Sequence, residues 1–216
     1  MSKIICNNIS LFVQTDAIRV AILNKFGGIW MDADNIISNS EFINSIHKSG
    51  LTMIRDSKRK NFHHIGFIAS SNNSKILKQW LEQIINKVKY CKNVFSKNSF
   101  IGNNLKKKWN YLGNSIIDPI LKNIKSNQYY PILTDKINVF PEDIYFNNSN
   151  LRNSQKYKMF YFRRGNPQEI LKTTKGLILL HNSWTPLRYK EMSEKTFLKQ
   201  DILLSKLLSQ ITKMEK

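Results

Sequence analysis

The 216-residue sequence is poor in cysteine, in acidic side chains and in long apolar runs. Its two cysteines, Cys6 and Cys91, are too few for a disulfide framework and lack metal-site spacing, which favours a reducing compartment. No apolar stretch approaches the length needed to cross a bilayer, and the first residues, MSKIICNNIS, contain no long apolar core of a secretory signal. We therefore expect a cytoplasmic protein, either free or peripheral to a membrane.

Acidic residues are outnumbered, because 15 Asp and Glu stand against 34 Lys and Arg, a formal net charge of +19. Such a balance attracts polyanions: nucleic acid, an anionic membrane, or the phosphates of a sugar nucleotide or lipid-linked acceptor. The lysines are scattered, and no helix-turn-helix, zinc-finger or aromatic RNA-binding signature is present in the sequence. We do not expect nucleic acid to be the partner, and a basic nucleic-acid-binding protein stays as the alternative from another class.

The remaining composition, 41% hydrophobic and 11% aromatic, is typical of a folded protein. A chain of this length is most simply one domain, residues 1–216, with a substantial core. The most informative stretch is 15–34, TDAIRVAILNKFGGIWMDAD. It predicts a helix over 16–25, begun by Thr15 or Asp16 and ended by Gly27-Gly28. Four side chains at helical spacing predict its apolar face: Ala17, Ile18, Ala21 and Ile22.

Two aspartates, Asp32 and Asp34, follow a short buried strand predicted over 29–31. Residues two apart in an extended chain point to the same side, so both carboxylates can face one point. A divalent cation that also binds substrate phosphates prefers such oxygen ligands, while the alternative is a solvated turn. Asp16 and Arg19, three apart on the helix, form either a surface ion pair or a fork that holds ligand hydroxyls.

This stretch fits the pattern S/T-D-x-x-R-x-x-x-L-x-x-x-G-G-x-Y/W-x-D-x-D at nearly every fixed position. It thereby resembles the sugar-binding D-x-D region of GT-A glycosyltransferases, in particular the polysaccharide-synthesis and α-mannosyltransferase-like groups and the glucosylating bacterial toxins. The resemblance implies an α/β fold with a GT-A-like (Rossmann-like), mixed, mainly parallel sheet flanked by helices. It also implies sugar transfer from a nucleoside-diphosphate sugar to a glycan, lipid-linked or protein acceptor, with retained configuration and with Mn²⁺ or Mg²⁺ as cofactor.

The resemblance assigns roles residue by residue. Asp16 and Arg19 correspond to donor-sugar contacts, and Trp30 stands where the family has an aromatic residue near the donor. Asp32 corresponds to a sugar-binding carboxylate and Asp34 to a metal-binding carboxylate, and together they form the catalytic pair.

A second element, HNSWTP, follows a buried strand predicted over 176–180. A histidine in such a place is commonly a hydrogen-bonded residue at a strand end. The segment also resembles a late segment of the same family, which implies that His181 is a metal ligand and that Trp184 and Ser183 contact the donor. Because Asp34 and His181 both follow apolar strands, we expect their turns to lie close together.

Further elements are predicted from periodicity: strands over 51–54, 65–69, 137–140 and 158–163, and helices over 74–89 and 196–211. The last helix is amphipathic, and it either packs on the domain or lies on anionic lipid. The segment LGNSIIDPIL resembles the family's acceptor-side turn, with Ser115 and Asp118 as candidates; alternatively these are a helix cap and its helical neighbour.

Residues 1–14 give at most one strand, whereas the GT-A family normally places a nucleotide-binding βαβ portion ahead of the D-x-D. We therefore expect an unusually short nucleotide-binding part, as in an N-terminally truncated member. The alternative function on this basis is a catalytically inactive, glycosyltransferase-like partner subunit.

Overall fold

The structure is a computed structural model that describes residues 11–57, 59, 61–95, 111–124, 127–134, 151–174 and 176–214. The chain forms two compact units. The first unit comprises Met1–Asp32 and Ile46–Thr134, and the second comprises Ala33–Ser45 and Asp135–Lys216. A single domain stays a prediction, and the strand predicted over 137–140 lies outside the described residues.

The described helices and strands are, in chain order, α1 (Leu11–Phe26), β1 (Gly28–Met31), β2 (Asn35–Ile37), α2 (Glu41–Asn44), β3 (Leu51–Arg55), β4 (His63–Ser70), α3 (Lys75–Phe95), α4 (Asn114–Lys122), β5 (Tyr129–Leu133), α5 (Asn153–Tyr161), α6 (Gln168–Leu171), β6 (Leu177–Leu179), a 3₁₀ turn (Asn182–Trp184), α7 (Leu187–Lys190), α8 (Glu194–Leu198) and α9 (Leu203–Met214). None of the described helices is long and apolar enough to span a membrane.

The first unit contains a four-stranded sheet with the order β1-β4-β3-β5. The β1–β4 and β4–β3 pairs are antiparallel and the β3–β5 pair is parallel. The expectation of a mixed sheet with helices is therefore confirmed, but among the described strands the sheet is mainly antiparallel rather than mainly parallel. The reason is the short connection from β3 to β4, which is too short for the crossover that parallel neighbours require.

Strand β1 is present where the sequence predicted it, but it is not buried. Ile29 and Met31 are 46% and 41% exposed, because alternate side chains of a strand point to opposite faces and these two lie on the face away from the core. Trp30, between them, packs against the core of the unit. The apolar residues of β1 therefore belong to an edge strand in which only the face that carries Trp30 is covered.

Helix α1 confirms the predicted helix but begins earlier, so Thr15 and Asp16 lie inside it and do not cap it. The Thr15 hydroxyl donates back to the Leu11 carbonyl at 2.9 Å. The buried face is also different from the predicted one, since Ile18 and Ile22 are exposed. The buried side chains follow another helical row: Val13, Asp16, Arg19, Val20 and Leu23.

The glycine stop after α1 is confirmed. Gly27 has φ +68°, and its N–H donates to the Leu23 carbonyl at 2.8 Å. A Cβ at Gly27 would lie 2.5 Å from the Asn72 nitrogen, so only glycine fits this close approach. Strand β1 therefore begins immediately after the end of α1.

The core of the first unit lies where α1, α3 and α4 cover one face of the sheet. The helix predicted over 74–89 is confirmed as α3, and its apolar stripe supplies much of this core. The buried members are Val13, Val20, Leu23, Leu51, Met53, Ile68, Ile76, Leu77, Trp80, Ile84, Val88, Leu112, Ile116, Ile117, Ile120 and Leu121.

The second unit contains a two-stranded antiparallel sheet in which Asn35 of β2 pairs with Leu179 of β6. The strand predicted over 176–180 is thus confirmed. The strand predicted over 158–163 is wrong, because residues 158–161 belong to helix α5 and Phe162 follows as its C-cap. Its aromatic side chains satisfy helical spacing instead of alternation, as the buried residues are Tyr157, Phe160 and Tyr161.

The single helix predicted over 196–211 is two helices, α8 and α9. Ser193 caps α8 by accepting from the Thr196 N–H, α8 ends at Leu198, and α9 begins only at Leu203. The apolar side chains of α9 lie in the core of the second unit, among them Leu203, Leu204 and Leu207. The packed alternative for this amphipathic segment is therefore correct.

Candidate functional site

The first unit brings together four residues singled out by the sequence, Asp16, Arg19, Trp30 and Asp32, called here the Arg19 cluster. The Arg19 guanidinium lies between two carboxylates: Nη2 is 3.5 Å from Asp16 Oδ1, and Nη1 is 3.4 Å from Asp32 Oδ1. The Trp30 indole donates to Asp32 Oδ1 at 2.8 Å, and the guanidinium carbon lies 5.4 Å from its ring centroid. The D-x-x-R spacing therefore produces a fork that points to the residue after β1.

The depth of the four side chains differs, and this sets their chemistry. Asp16 and Arg19 are 3% and 5% exposed, whereas the Asp32 side chain is 34% exposed. The pKa of Asp16 is raised to about 7, because burial and the nearby Asp32 raise it by more than Arg19 lowers it, with burial the largest cause. Near neutral pH the Asp16 carboxyl can thus donate or accept a hydrogen bond, while Asp32 offers the accessible carboxylate. Such a set suits a ligand with several hydroxyl groups.

Strand β4 supports the Arg19 cluster through a bulge that the sequence analysis missed. In the β3–β4 ladder, Met53 pairs with Ile68 but the next residue of β3 pairs with His64. Within the extra segment, the Ile65 carbonyl accepts from the Arg19 guanidinium, and the Gly66 carbonyl accepts the Asp32 N–H at 2.8 Å. A glycine inside a strand is a signal of a bulge, and Gly66 was that signal.

Helix α4 forms a close wall of the Arg19 cluster. A Cβ at Gly113, the residue before α4, would lie 2.8 Å from Asp16 Oδ2 and 2.6 Å from Ile65 Cδ1. Both distances are too short for a real side chain. The wall is therefore built on a glycine because the backbone must approach Asp16 this closely.

A second polar group of the first unit lies at the start of β4. His63 Nδ1 is 2.6 Å from Asp118 Oδ1, and the Asn114 amide donates to the His63 carbonyl at 2.6 Å. Of the two acceptor-side candidates, Asp118 belongs to this group, whereas Ser115 is exposed and accepts from Lys87 at 2.9 Å. Sequence reasoning missed the pairing of His63 with Asp118, since 55 positions separate them.

In the second unit, the pairing of β2 with β6 places Asp34 beside the HNSW turn. The Leu180 N–H donates to the Asp34 carbonyl at 2.9 Å, and the Asn182 N–H donates to Asp34 Oδ2 at 3.2 Å. The structure thus brings together Asp34 and the turn that carries His181, as expected from their positions after two strands. Ser183 is exposed on the same turn.

Aromatic packing holds the His181 ring. Its centroid is 4.0 Å from that of Trp184, and the backbone N–H of His181 donates to the Tyr157 hydroxyl at 3.3 Å. Burial lowers the pKa of His181, partly offset by Asp34, so the imidazole is neutral at pH 7. Neutral imidazole is the form that binds metal ions.

The described part of the chain contains no group of three or more His, Cys, Asp or Glu side chains placed to hold a metal ion. Asp34 and His181 supply two ligand types. A carboxylate suits Mg²⁺ or Mn²⁺, cations that keep positions for water and substrate phosphates, and an imidazole is compatible with Mn²⁺. The residues present are therefore compatible with a metal that binds together with a phosphorylated ligand.

Comparison with known proteins adds one positive finding. No curated protein and no solved structure matches the chain. The family model for capsular polysaccharide synthesis proteins matches residues 1–173. This span covers most of the 216 residues and includes the whole Arg19 cluster, Asp34 and the β4 bulge. The chain therefore belongs to the capsular polysaccharide synthesis protein family, whose role lies in polysaccharide biosynthesis.

Proposed function

We propose that the chain is a glycosyltransferase that moves a sugar from a nucleoside-diphosphate sugar to a glycan, lipid-linked or protein acceptor. The observation that carries the proposal is the buried Arg19 between Asp16 and Asp32. Burying the Asp16 carboxylate together with the Arg19 guanidinium rarely improves stability over apolar packing. A ligand that uses these groups explains why the arrangement is present.

The Arg19 cluster would bind the donor sugar. Asp32 would accept hydrogen bonds from sugar hydroxyls, and Arg19 would hold Asp32 at a fixed angle. Asp16, with its pKa near neutrality, would supply a further donor or acceptor. The Trp30 ring would contact the donor, and its indole N–H already orients Asp32. Fixing the sugar in this way converts binding energy into orientation for the transfer.

Asp34 and His181 would hold the Mn²⁺ or Mg²⁺ ion, which when bound supplies neutralisation of the charge on the leaving diphosphate. The backbone N–H of Asn182 fixes one Asp34 oxygen, and Trp184 fixes the His181 ring. Trp184 and Ser183 would contact the donor from the same turn. We include retention of the anomeric configuration in the proposal, as the resemblance implies. The net charge of +19 supports binding of phosphorylated donors and of acceptors on an anionic membrane.

A thermal-shift screen tests the proposal, because a ligand that binds only the folded state raises the unfolding temperature. The probes are UDP-glucose, UDP-galactose, GDP-mannose and the bare diphosphates, each with and without Mn²⁺. We expect a Mn²⁺-dependent shift with at least one sugar nucleotide, followed by release of its diphosphate when an acceptor is added. Asp32→Asn should abolish the shift.

Asp56→Asn is the matched control, because Asp56 pairs with Arg59 in a turn of the same unit. It should leave the shift unchanged. A shift without any donor turnover would identify an inactive partner subunit. No shift with any probe, together with steeply salt-dependent binding to nucleic acid, would overturn the proposal in favour of a nucleic-acid-binding protein.

A further inference from the structure

We infer that His63, Asn114 and Asp118, called here the His63 clasp, position the Arg19 cluster by fixing the outer end of the β4 bulge. The inference rests on the proposed function, since it gives the clasp a part in holding the side chains that would bind the donor. The clasp residues act through the backbone of β4 and are positioning residues.

The bulge residues Ile65 and Gly66 have no registered partner residue in either neighbouring strand, so other contacts must fix their position. The registered pairs of strand β1 involve residues 67–70 of β4, and the Asp32 N–H extends this side by one hydrogen bond, to the Gly66 carbonyl. The β3 ladder jumps from Ile68 to His64. Ile65 and Gly66 therefore lie between two ladders that fix the residues around them. Bulges of this kind re-aim groups beside functional sites.

The carbonyls of the bulge determine where the Arg19 cluster sits. The Ile65 carbonyl accepts from the Arg19 guanidinium, and the Gly66 carbonyl accepts from the Asp32 N–H. One displacement of the bulge would thus move a cation and the backbone of a carboxylate together. Because Trp30 donates to Asp32, its indole N–H would report such a displacement.

The His63 clasp fixes the residue at the outer end of the bulge by both ring and backbone. Asp118 holds the ring at Nδ1, at 2.6 Å, and Asn114 holds the carbonyl, at 2.6 Å. The Asn114 amide also lies 3.3 Å from each Asp118 oxygen, so the two α4 residues orient each other. The Gly113 backbone also approaches Ile65, since a Cβ there would lie 2.6 Å from Ile65 Cδ1. The beginning of α4 therefore contacts this part of β4 at two residues, His63 and Ile65.

The second ring nitrogen of His63 argues for positioning over stability. Nε2 is buried and has no hydrogen-bond partner within the described residues. A buried polar atom without a partner costs stability, and an apolar side chain would pack there without that cost. Buried polar groups are retained in some proteins because they specify one conformation. A single fixed position of the bulge is what Arg19 and Asp32 require.

The first test compares Asn114→Ala with Asn123→Ala, the same substitution in the same helix region. Asn123 donates to the Pro119 carbonyl at 3.3 Å and makes no contact with His63. The readout is the indole N–H resonance of Trp30 in ¹⁵N-labelled protein, assigned by its loss in Trp30→Phe. We expect this resonance to shift or broaden in Asn114→Ala and to stay in place in Asn123→Ala.

The second test compares His63→Asn with His63→Leu, two side chains of nearly equal shape. The asparagine amide nitrogen takes the place of Nδ1 and can donate to Asp118, whereas leucine cannot. We expect His63→Asn to keep the Trp30 resonance and sugar-nucleotide affinity. His63→Leu should lower affinity for UDP-glucose or GDP-mannose about 10- to 100-fold, as a small misplacement does, with bare-diphosphate affinity unchanged.

The Trp30 resonance is measured without ligand. The positioning role of the clasp can therefore be tested independently of the proposed glycosyltransferase function. A Trp30 resonance that moves in Asn114→Ala and His63→Leu supports the positioning role even where wild-type protein binds no sugar nucleotide, which would contradict only the proposed function. A resonance equally unmoved in both variants, or equally moved in His63→Asn and His63→Leu, would overturn the positioning role. If Asn114→Ala does not fold, the comparison of His63→Asn with His63→Leu tests the positioning role.

Discussion

The backbone N–H of Asn182 donates a 3.2 Å hydrogen bond to Oδ2 of Asp34, although 148 positions separate the two residues. This bond joins the turn between β1 and β2 to the turn after β6. It fixes one oxygen of Asp34 and brings the aromatic support of His181 next to the carboxylate. A ligand with a divalent cation would therefore meet a carboxylate that is already oriented.

Asp34→Asn should abolish Mn²⁺-dependent binding of a nucleoside diphosphate while the fold stays intact. The asparagine oxygen can still accept the Asn182 N–H, so only the charge is removed, and we expect unfolding free energy to change by less than about 1 kcal/mol. Calorimetric titration with Mn²⁺ and UDP or GDP measures the loss.

The control for this variant is Asp201→Asn, which removes an exposed carboxylate paired with Arg164 and Lys206 in the same unit. Exposed pairs contribute little, so this variant should behave like the wild type. Unchanged Mn²⁺ affinity in Asp34→Asn would remove Asp34 from the metal site.

Metal-dependent binding should persist at pH values below 6.5, the ordinary pKa of histidine. The reason is that burial lowers the pKa of His181, so the ring stays neutral and able to bind metal at that pH. Titrations of Mn²⁺ with a nucleoside diphosphate between pH 5 and 8 give the pH at which half of the metal affinity is lost, the midpoint. A midpoint above 6.5, or an unchanged profile in His181→Gln, would argue against His181 as a ligand.

The stretch from Asp16 to Asp34 could be predicted from sequence because its signals are local. Gly27 and Gly28 adopt positive φ and end the helix, and the strand follows at once. The buried face of α1 could not be predicted from apolarity, since it carries Asp16 and Arg19. Their burial depends on partners in β1 and β4, which helical periodicity does not contain.

Other features depend on contacts that are distant in sequence. The aromatic run from Tyr157 to Phe162 fits both a strand and a helix by composition, and packing against α9 decides for the helix. The β4 bulge lies in a strand that pairs with β1 on one side and with β3 on the other, and Gly66 is its only local sign. The His63–Asp118 pair joins a strand to a later helix and has no local pattern.

Arg19→Ala should weaken sugar-nucleotide binding much more than binding of the bare nucleoside diphosphate. Arg19 orients Asp32, which would contact the sugar, and leaves the phosphates to other groups. Because the variant also leaves Asp16 buried without its cation, we expect a loss of about 3–5 kcal/mol in stability. Calorimetry with UDP-glucose or GDP-mannose and with UDP or GDP separates the two effects.

A double variant, Asp16→Asn with Arg19→Met, removes the buried charges together and should recover much of that stability without recovering sugar affinity. Equal losses of affinity for the sugar nucleotide and the bare diphosphate in Arg19→Ala would mean that Arg19 contacts phosphate or only supports the helix.

Gly113→Ala should disturb the Arg19 cluster from the α4 side. Its Cβ would lie 2.8 Å from Asp16 Oδ2 and 2.6 Å from Ile65 Cδ1, so the wall must move. Overpacking of this kind costs about 1–3 kcal/mol. Gly165→Ala in the second unit, where the nearest atom is at 3.3 Å, is the control. Denaturant unfolding of both variants measures the difference, and equal stabilities would contradict the close approach.

The last prediction concerns the pH dependence of stability. Burial raises the pKa of Asp16 from 3.8 to about 7 in the folded state. Between these values the folded protein keeps a proton that the unfolded chain has released, so ionisation of Asp16 makes stability fall as pH rises from about 4 to 7. Above pH 7 its contribution is constant.

The size of this effect is bounded by the shift, since each pKa unit corresponds to about 1.4 kcal/mol and the shift is about three units, giving at most about 4 kcal/mol. Asp16→Asn removes the titrating group, so its stability relative to the wild type should rise through this pH window and level off above it. Urea unfolding at pH 4, 5.5, 7 and 8 gives the two curves. A constant difference between wild type and Asp16→Asn across the window would mean that Arg19 keeps Asp16 ionised in the folded protein, and that the cluster presents two carboxylates to its ligand instead of one.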